Sequence, residues 1–310
     1  MTYNILASCY ADPKYYPRHC VEYLDINLRR KAICNFLSMN KNLDIIAFQE
    51  ITDDTNDKIG EFTFIKNFLS EDYICHIVHH DSTYWSSYFN PDSSANNCYM
   101  KNGNALFIRK NLFSIIKWHD ISSNTGNHAI CLETEINNSK FRIVNVHFDN
   151  LNVLNRQAEF KNVMDYLYSN DIGCIQTQTQ TQTQTFDIIL GDFNDDVHAN
   201  SVMKNLMSIY KLHGTKTDKL KHTYASTDIC QVNHPIDHIL ISENLIDKIV
   251  ESNVYDNNFL NIQDKNERIN KTLQFFGTDH YPVYAKFTFE SDVVSIPSFI
   301  SLKGGGYNEP

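Results

Sequence analysis

Apolar runs recur along this chain, and many of them end on a carboxylate, an amide or an imidazole. The sharpest example is residues 186–190, which lead through Gly191 into Asp192 and then Asn194. Residues two apart in a strand project to the same face, so we expect these two polar side chains on one side of a sheet. A carboxylate beside a neutral amide suits a site that holds a hard cation and a phosphate-bound water. Alone the motif is weak, because Asp and Asn are also ordinary turn residues.

The same pattern returns elsewhere in the chain. The other polar residues in or next to apolar runs are Asn4, Glu50, His147, Asp237 and the pair Asp279-His280. A cap or a turn would explain any one of them by itself. Asp237 differs from the others in lying inside an apolar run, 235–241, where an unpaired charge would be costly. So many strand ends of these types in one chain predict a single shared site.

The order of elements indicates an α/β fold. Helices are expected over residues 27–40, 57–69, 155–168 and 198–210, and strands over 44–48, 73–79, 103–109, 129–136, 141–147 and 187–190. Residues 249–276 are polar and are expected to form a loop before the last strand. Strands that alternate with helices and are then followed by hairpins fit mixed sheets with helices outside.

No domain boundary is visible, because the polar strand ends are spread along the chain and need one core. Residues 1–290 are therefore predicted to form a single domain, and residues 291–310 a C-terminal tail. Within that domain, residues 176–185 repeat Gln-Thr without any apolar face to bury. We expect this repeat to be an expanded surface loop.

Composition narrows the choice of substrate and compartment. No apolar stretch is long enough to span a membrane, and no signal segment opens the chain, so secretion is not expected. The 8 scattered cysteines are typical of reduced core residues, which predicts a cytoplasmic or nuclear location. The formal charge of −10 would repel long duplex DNA. It favours a single-stranded or short substrate, or a small phosphate ester.

The motifs together resemble the endonuclease/exonuclease/phosphatase superfamily, which includes DNase I, apurinic endonucleases, deadenylases and inositol-phosphate phosphatases. The matching series, in order, is Y-N-I-L from residue 3, F-Q-E to 50, N-V-H to 147, G-D-F-N from 191, I-D-H-I from 236 and T-D-H-Y-P-V from 278. The resemblance covers nearly the whole chain. It implies a four-layer α/β sandwich of two packed mixed sheets flanked by helices, with all the polar strand ends at one edge.

The resemblance also implies a metal site. Glu50 would be the main ligand of Mg²⁺, or of Mn²⁺, and Asp279 an additional ligand. Asn4 would hydrogen-bond a metal ligand and fix its rotamer. Each of these side chains has the oxygen or amide chemistry that such a role needs.

The remaining motif residues would act on the phosphate. Asp192 would orient or deprotonate the attacking water, or bind a second cation, and Asn194 would donate to the phosphate. His147 and His280 would face the scissile phosphate and stabilise its developing charge. Asp237 would hold the His280 ring and raise its pKa.

The first third of the chain is closest to the deadenylase and nocturnin-like branch, whose members remove 3′-terminal nucleotides from RNA. The predicted activity is thus that of a 3′-5′ exoribonuclease acting on single-stranded nucleic acid. After His147 and before Asp237 the sequence departs from that branch. A DNA-repair phosphodiesterase of apurinic or tyrosyl type, or a phosphatase of a small or lipid ester, remains an alternative. The other histidines, His80 among them, are predicted to be surface or core residues, while Tyr224 is a weak hint of a substrate contact.

Overall fold

The computed structural model describes residues 1–289 apart from 9, 54–59, 82–100, 115, 137–138, 170–184, 198, 216–221 and 226–234. Its strands are β1 (Thr2–Asn4), β2 (Ile45–Thr52), β3 (Tyr73–His79), β4 (Asn102–Arg109), β5 (Ile116–Ile121), β6 (Ala129–Ile136), β7 (Ser139–His147), β8 (Thr185–Asp192), β9 (Leu212–Gly214), β10 (Asp237–Ser242), β11 (Ile249–Val254) and β12 (Val283–Phe287). Its α-helices are α1 (Ile26–Met39), α2 (Glu61–Leu69), α3 (Val153–Ser169), α4 (Ser201–Ile209) and α5 (Lys265–Phe276).

The strands form two 6-stranded sheets. Their orders are β11-β12-β1-β2-β4-β3 and β5-β6-β7-β8-β10-β9. Each sheet is mixed, because β1 and β2 are parallel in the first and β7 and β8 are parallel in the second, while their other neighbours are antiparallel.

Period-two alternation in the second sheet explains how both of its faces are buried. Ile143 and Leu190 belong to the core that includes the first sheet, whereas Val144 and Ile189 belong to the core under α3 and α4. On the far side of the first sheet, Phe36 of α1 packs edge-on against Tyr3 of β1 with ring centroids 5.5 Å apart. The result is the predicted four-layer sandwich of helices, sheet, sheet and helices.

Buried amides tie the two sheets together. Asn145 of β7 accepts a hydrogen bond from Nε2 of Gln49 at 2.6 Å. Its own Nδ2 donates to the carbonyl oxygens of Phe48 and Ala105 at 3.0 and 2.9 Å. A satisfied polar contact inside an apolar core has few alternative arrangements, so it fixes how the sheets sit relative to each other.

The prediction of a loop over residues 249–276 was wrong. That segment contains β11, a short 3-10 helix and α5. α5 buries Ile269, Leu273 and Phe276 on one face, at spacings of four and three residues that match a helix. Many charged and amide residues on the opposite face mask this pattern. β11 is paired on one side only, and all but one of its residues are exposed or half-buried, so it needs little apolar alternation.

Other predictions fall partly outside the described residues. Residues 176–184 of the repeat and residues 291–310 lie there, whereas Thr185, predicted to be in the loop, begins β8. The single-domain assignment therefore stays a prediction. Four cysteines are described, all free: Cys20 and Cys131 are buried, and Cys34 and Cys75 are half-buried. Within the described part of the chain, no helix is long and apolar enough to cross a membrane.

Candidate active site

Three polar residues of the second sheet stand side by side at one edge. His147 pairs with Asp192 across β7 and β8, and Asp192 pairs with Asp237 across β8 and β10. β10 is antiparallel to β8, so its first residue reaches the edge where β7 and β8 end. Gly191 allows the strands to approach, because a Cβ there would lie 1.9 Å from the carbonyl oxygen of Val146.

Glu50 reaches the same edge from the first sheet through a bulge in β2. The register against β4 shifts between Phe48 and Ile51, and Glu50 itself has a φ of 56°. A bulge re-aims a side chain, and a left-handed backbone at a non-glycine residue is a strained conformation typical of functional sites. The Oε2 atom of Glu50 accepts a hydrogen bond from the backbone N of Ala7 at 2.9 Å, which holds the carboxylate in place.

Asn4 joins the carboxylates of the two sheets. Its Nδ2 donates to Glu50 Oε1 at 3.0 Å and to Asp192 Oδ2 at 2.9 Å. Its Oδ1 accepts from the backbone N of Leu6 at 3.0 Å, so the amide cannot rotate freely. Asn4 therefore sets the separation between the two acids.

The chain turns sharply after Asp192 and brings Asn194 to the site. Asn194 has a φ of 49°, and its backbone N donates to Asp192 Oδ1 at 2.8 Å. Its Nδ2 donates to the carbonyl oxygen of Phe148 at 2.8 Å. These bonds hold the Asn194 side chain beside the Asp192 carboxylate.

The segment Asp279–His280 is anchored by the end of α5. That helix stops at Gly277, whose φ of 72° suits glycine and where a Cβ would lie 2.4 Å from the carbonyl oxygen of Arg29. The next residue, Thr278, donates to the carbonyl oxygen of Asn4 at 2.9 Å. The hydroxyl thus ties this segment to β1.

His280 forms a buried pair with Asp237. Its Nδ1 lies 3.0 Å from Asp237 Oδ2, and its Nε2 lies 4.0 Å from Asp192 Oδ2. Burial lowers the pKa of His280, but the carboxylates of Asp237, Asp192 and Asp279 outweigh it and raise the pKa to about 10. The ring of Tyr224 lies against the imidazole with centroids 4.9 Å apart. His280 is accordingly a cation at neutral pH.

His147 faces the two acids from the other side. Its Nε2 lies 3.9 Å from Glu50 Oε1 and 3.9 Å from Asp192 Oδ2. Its Nδ1 is buried and has no hydrogen-bond partner among the described residues. The ring of His80 lies behind it, with centroids 5.7 Å apart.

The acids of the site are crowded, and this affects their protonation. Burial, and then the Asp237 carboxylate, raise the pKa of Asp192, although His280, His147 and Asn4 oppose the shift. Burial also raises the pKa of Asp279, opposed first by His280. The Asp279 Oδ2 atom accepts from the hydroxyl of Tyr16 at 2.9 Å, while Oδ1 is buried without a partner in the described structure. A cation would relieve this crowding.

Two candidate sets of metal ligands lie in this region. Ligand-type atoms of Asp192, Asp237 and His280 lie within 4.8 Å of one another. However, His280 Nδ1 and Asp237 Oδ2 already bond to each other, so this trio is better described as a hydrogen-bonded pair beside Asp192. The predicted ligands Glu50 and Asp279 form the second set, and both line the same cleft.

These groups line a cleft of about 560 Å³. Its lining residues are Leu6, Tyr10, Tyr15, Tyr16, Glu50, His147, Asn150, Leu151, Asp192, Asn194, Tyr224, Ile236, Asp279 and His280. The predicted residues that do not line it, Asn4 and Asp237, lie behind it and hydrogen-bond residues that do. None of the described lining residues is Lys or Arg.

The structure brings together the eight polar residues that the sequence predicted for a site, and it adds aromatic residues that were mostly not predicted. Tyr10, Tyr15 and Tyr16 come from the segment between β1 and α1, where the clustering of tyrosines was the available signal. Tyr224 was only a weak hint. His80, predicted to be an ordinary surface or core histidine, is buried directly behind His147.

The sequence and the fold of this chain are both similar to those of known proteins. Residues 1–280 match the sequence model of the Endonuclease/Exonuclease/phosphatase family. The chain is similar in structure to the human nocturnin catalytic domain solved with a bound sulfate anion, at 18% identity and a TM-score of 0.54 over 81% of this chain and 82% of that one. No curated protein matches the sequence.

Two further solved structures have the same fold. TDP2 from C. elegans matches at 19% identity and a TM-score of 0.54, over 92% of this chain and 73% of that one. The mannosyl-6-phosphatase Bt3783 of Bacteroides thetaiotaomicron matches at 16% identity and a TM-score of 0.57, over 93% and 98%. Likeness at this level of identity shows the fold alone.

Proposed function

Since the chain belongs to the endonuclease/exonuclease/phosphatase family, whose members are phosphoester hydrolases that generally use divalent metals, we propose that it is a metal-dependent phosphodiesterase. Specifically, we propose a 3′-5′ exoribonuclease of deadenylase type that acts on single-stranded RNA with Mg²⁺, or Mn²⁺ in its place. The observation that carries this proposal is the meeting of Glu50, Asp192, His147 and His280 in one cleft.

Glu50 and Asp279 would hold the cation. Both are carboxylates in the cleft, and Asp279 Oδ1 is buried without a partner among the described residues, so it has a lone pair directed at no protein donor. Oxygen ligands of this kind are what Mg²⁺ prefers. When bound, the cation would neutralise charge on the non-bridging phosphate oxygens.

Asp192 and Asn194 would handle the attacking water and the phosphate. A carboxylate whose pKa is raised by burial accepts a proton more readily near neutral pH, which suits Asp192 for orienting or deprotonating the water. It could instead bind a second cation. Asn194 donates one Nδ2 hydrogen to the carbonyl oxygen of Phe148, and its second Nδ2 hydrogen would be donated to a phosphate oxygen.

The two histidines would stabilise the charge that develops on the phosphate. His280 is held as a cation by Asp237, with its Nε2 toward Asp192. Preorganised donors in a buried site stabilise a transition state more than they would in water. His147 would donate through Nε2 from the opposite side, where it faces Glu50 and Asp192.

The lining of the cleft supports a single-stranded substrate. Its described residues include four tyrosines and no Lys or Arg. Tyr15 has 70% of its surface exposed, and Lys14 Nζ lies over one face of its ring at 4.7 Å from the centroid, so the other face would stack against an unpaired base. A duplex would instead require a basic track along its backbone, which the net charge of −10 does not favour. The resemblance of the first third of the chain to deadenylases points in the same direction.

A small phosphate ester is the second candidate. The cleft of about 560 Å³ falls in the range that encloses a small ligand, and that range is roughly 300–1,000 Å³. No observation on the described residues specifically favours the alternative of a DNA-repair phosphodiesterase, although an enzyme of that kind would use the same catalytic groups.

Product analysis would test the proposal. The substrates are 5′-labelled poly(A) RNA, a mixed-sequence RNA of the same length, an abasic DNA duplex and a sugar phosphate monoester, each with Mg²⁺ or Mn²⁺. We expect a ladder of RNA products shortened from the 3′ end, and none with the Glu50→Ala variant, which controls for contaminating nucleases. Release of inorganic phosphate alone would favour the second candidate, and cleavage only at the abasic site would favour a repair enzyme. Hydrolysis undiminished by excess EDTA would refute the metal dependence.

A further inference from the structure

His80 packs against His147 and does not line the cleft. The ring centroids are 5.7 Å apart and the planes are inclined by 58°. His80 is 4% exposed and His147 is 7% exposed. Two buried imidazoles in contact raise the question of which nitrogens carry protons.

The hydrogen bonds of His80 answer that question for its own ring. Its Nδ1 accepts from the backbone N of His128 at 3.1 Å, so Nδ1 cannot carry a proton. Burial, and then the neighbouring His147, hold the pKa of His80 well below its ordinary value, so the ring stays neutral. Its single proton must therefore be on Nε2.

That Nε2–H and the Nδ1 of His147 complement each other. Both atoms are buried, and neither has a hydrogen-bond partner among the described residues. A buried polar atom left unpaired costs free energy, and a donor facing an acceptor removes two such costs at once. The contact between the two rings, whose centroids are 5.7 Å apart, places this donor and this acceptor on neighbouring side chains.

We propose that His80 is a positioning residue: it donates Nε2–H to Nδ1 of His147 and so fixes His147 as the tautomer protonated on Nε2. In that tautomer the proton of His147 is on the nitrogen that lies 3.9 Å from both Glu50 Oε1 and Asp192 Oδ2. The proposed function, on which the inference rests, has this nitrogen donate to the phosphate in the cleft that these residues line. The backbone amide of His128 thus fixes the tautomer of His80, and His80 in turn fixes the tautomer in which His147 presents a donor to the substrate.

A rival partner for the same nitrogen is a water molecule. A cavity of about 10 Å³ is lined by His147 and by Asn127, whose Oδ1 is also buried without a partner in the described part of the chain, but not by His80. That volume is at the lower limit for one water. If a water were the partner of Nδ1, replacing His80 would leave the tautomer of His147 unchanged.

Nitrogen NMR on histidine-labelled protein, without substrate or metal, separates these possibilities. The ¹⁵N shifts and two-bond couplings of His147, assigned with a His147→Gln variant, report which nitrogen is protonated at neutral pH. We expect Nε2 protonated and Nδ1 an acceptor in the wild type. His80→Phe, which keeps a ring but removes the donor, should give a mixture of tautomers. His80→Gln, which can donate from its amide, should restore the wild-type pattern.

Kinetics provide the second measurement. We expect His80→Phe to lower kcat by about 10-fold with little change in KM, in the range found for groups that orient a ligating or reacting histidine. The matched control is His79→Phe, since His79 is the preceding residue and its Nε2 lies 3.2 Å from Asp53. That variant should leave both the His147 spectrum and kcat unchanged.

Protonation of His147 on Nδ1 in the wild type would overturn the inference, even if His80→Phe failed to fold. An unchanged His147 spectrum in a folded His80→Phe variant would overturn it as well. Neither result requires an active enzyme, so the inference can fail while the proposed phosphodiesterase activity stands. Conversely, a correct tautomer without phosphodiester hydrolysis would refute the function and leave the hydrogen bond in place.

Discussion

The two histidines at the cleft are supported by different kinds of neighbour. Behind His280 lies Asp237, a carboxylate hydrogen-bonded to Nδ1, which together with nearby acids raises the pKa of His280 to about 10. Behind His147 lies His80, a neutral imidazole that can offer a proton but no negative charge. One histidine of the cleft, His280, is thus supported by a negatively charged group, whereas the other, His147, is supported by a neutral hydrogen-bond donor. The residue that contacts a histidine ring from behind therefore determines the protonation state of that ring and hence its chemical role.

The two sides are also built from different parts of the chain. The His280 side depends on β10 and on the end of α5, whereas the His147 side depends on β7 and on the residue after β3. Between them lie the acids Glu50 and Asp192, which Asn4 holds together. Changes at the centre should therefore damage both sides, while changes behind one histidine should leave the other intact.

The largest effect is expected from Glu50→Ala, because this residue lies between the two sides and is the proposed main metal ligand. Turnover should fall by about 10³-fold or more, since a carboxylate ligand cannot be replaced by a methyl group. Calorimetry should show weakened binding of Mg²⁺ or Mn²⁺. Circular dichroism and the melting temperature should show an intact fold. Normal turnover in this variant would mean that another acid, such as Asp192, holds the cation.

Asp237→Asn should have the next largest effect. It keeps the size of the side chain but removes the charge that supports His280, so we expect kcat to fall by roughly 10²-fold with little change in KM. Adding Asp237→Asn to His280→Ala should cost hardly anything more, because the two groups act as a unit. Steady-state kinetics of the two single variants and the double variant measure this coupling.

The same substitution sharpens the contrast between the sides. Combining Asp237→Asn with His80→Phe should multiply the two losses in kcat, because no hydrogen bond is shared between these supports. Full additivity of Asp237→Asn with His280→Ala would show that those two residues do not act together. Strong coupling across the cleft would show that the sides are not independent.

The pH dependence of stability should reveal the charged histidine. His280 has a pKa of about 10 in the folded protein and about 6.5 in an unfolded chain, so folding favours its protonated form. This stabilisation is complete below about pH 6.5 and is lost as the pH rises toward 10. The free energy of unfolding in urea should therefore fall more steeply over this interval for the wild type than for His280→Gln. Equal slopes would show that Asp237 does not hold the ring charged.

The smallest effect is expected from replacing residues 176–184, which excludes the first residue of β8, with a short Gly-Ser linker. The repeat joins the start of β8, and Asp192 is at the other end of that strand, about 23 Å away at roughly 3.3 Å per residue. Loop-closure free energy also depends only weakly on length. The activity and the melting temperature of the protein should stay nearly unchanged. A large drop in melting temperature would mean that the repeat is packed structure.

The polar residues of the candidate site could be predicted from the sequence, because strands are recognised from short, local patterns of apolar residues. Apolar runs that end on Glu50, His147 and Asp192 follow from side-chain alternation, and parallel neighbours bring such ends to one edge. The helix predicted over residues 155–168, which the structure extends to 153–169, could be identified because its apolar residues repeat at helical spacing. The resemblance to a known family then connected Asp237 with His280, which lie 43 positions apart.

Structural features that form only when distant segments pack together could not be predicted from the sequence. α5 was missed because its buried face is diluted by polar residues, and its helix is decided by packing against α1 rather than by pattern. Tyr16 became part of the site only because its hydroxyl reaches Asp279, 263 residues later. The sequence does not distinguish His80 from the other histidines, because only the tertiary structure packs it against His147. Local periodicity determines which residues form strands and helices, but the long-range register and the stacking of two sheets decide which side chains share a site.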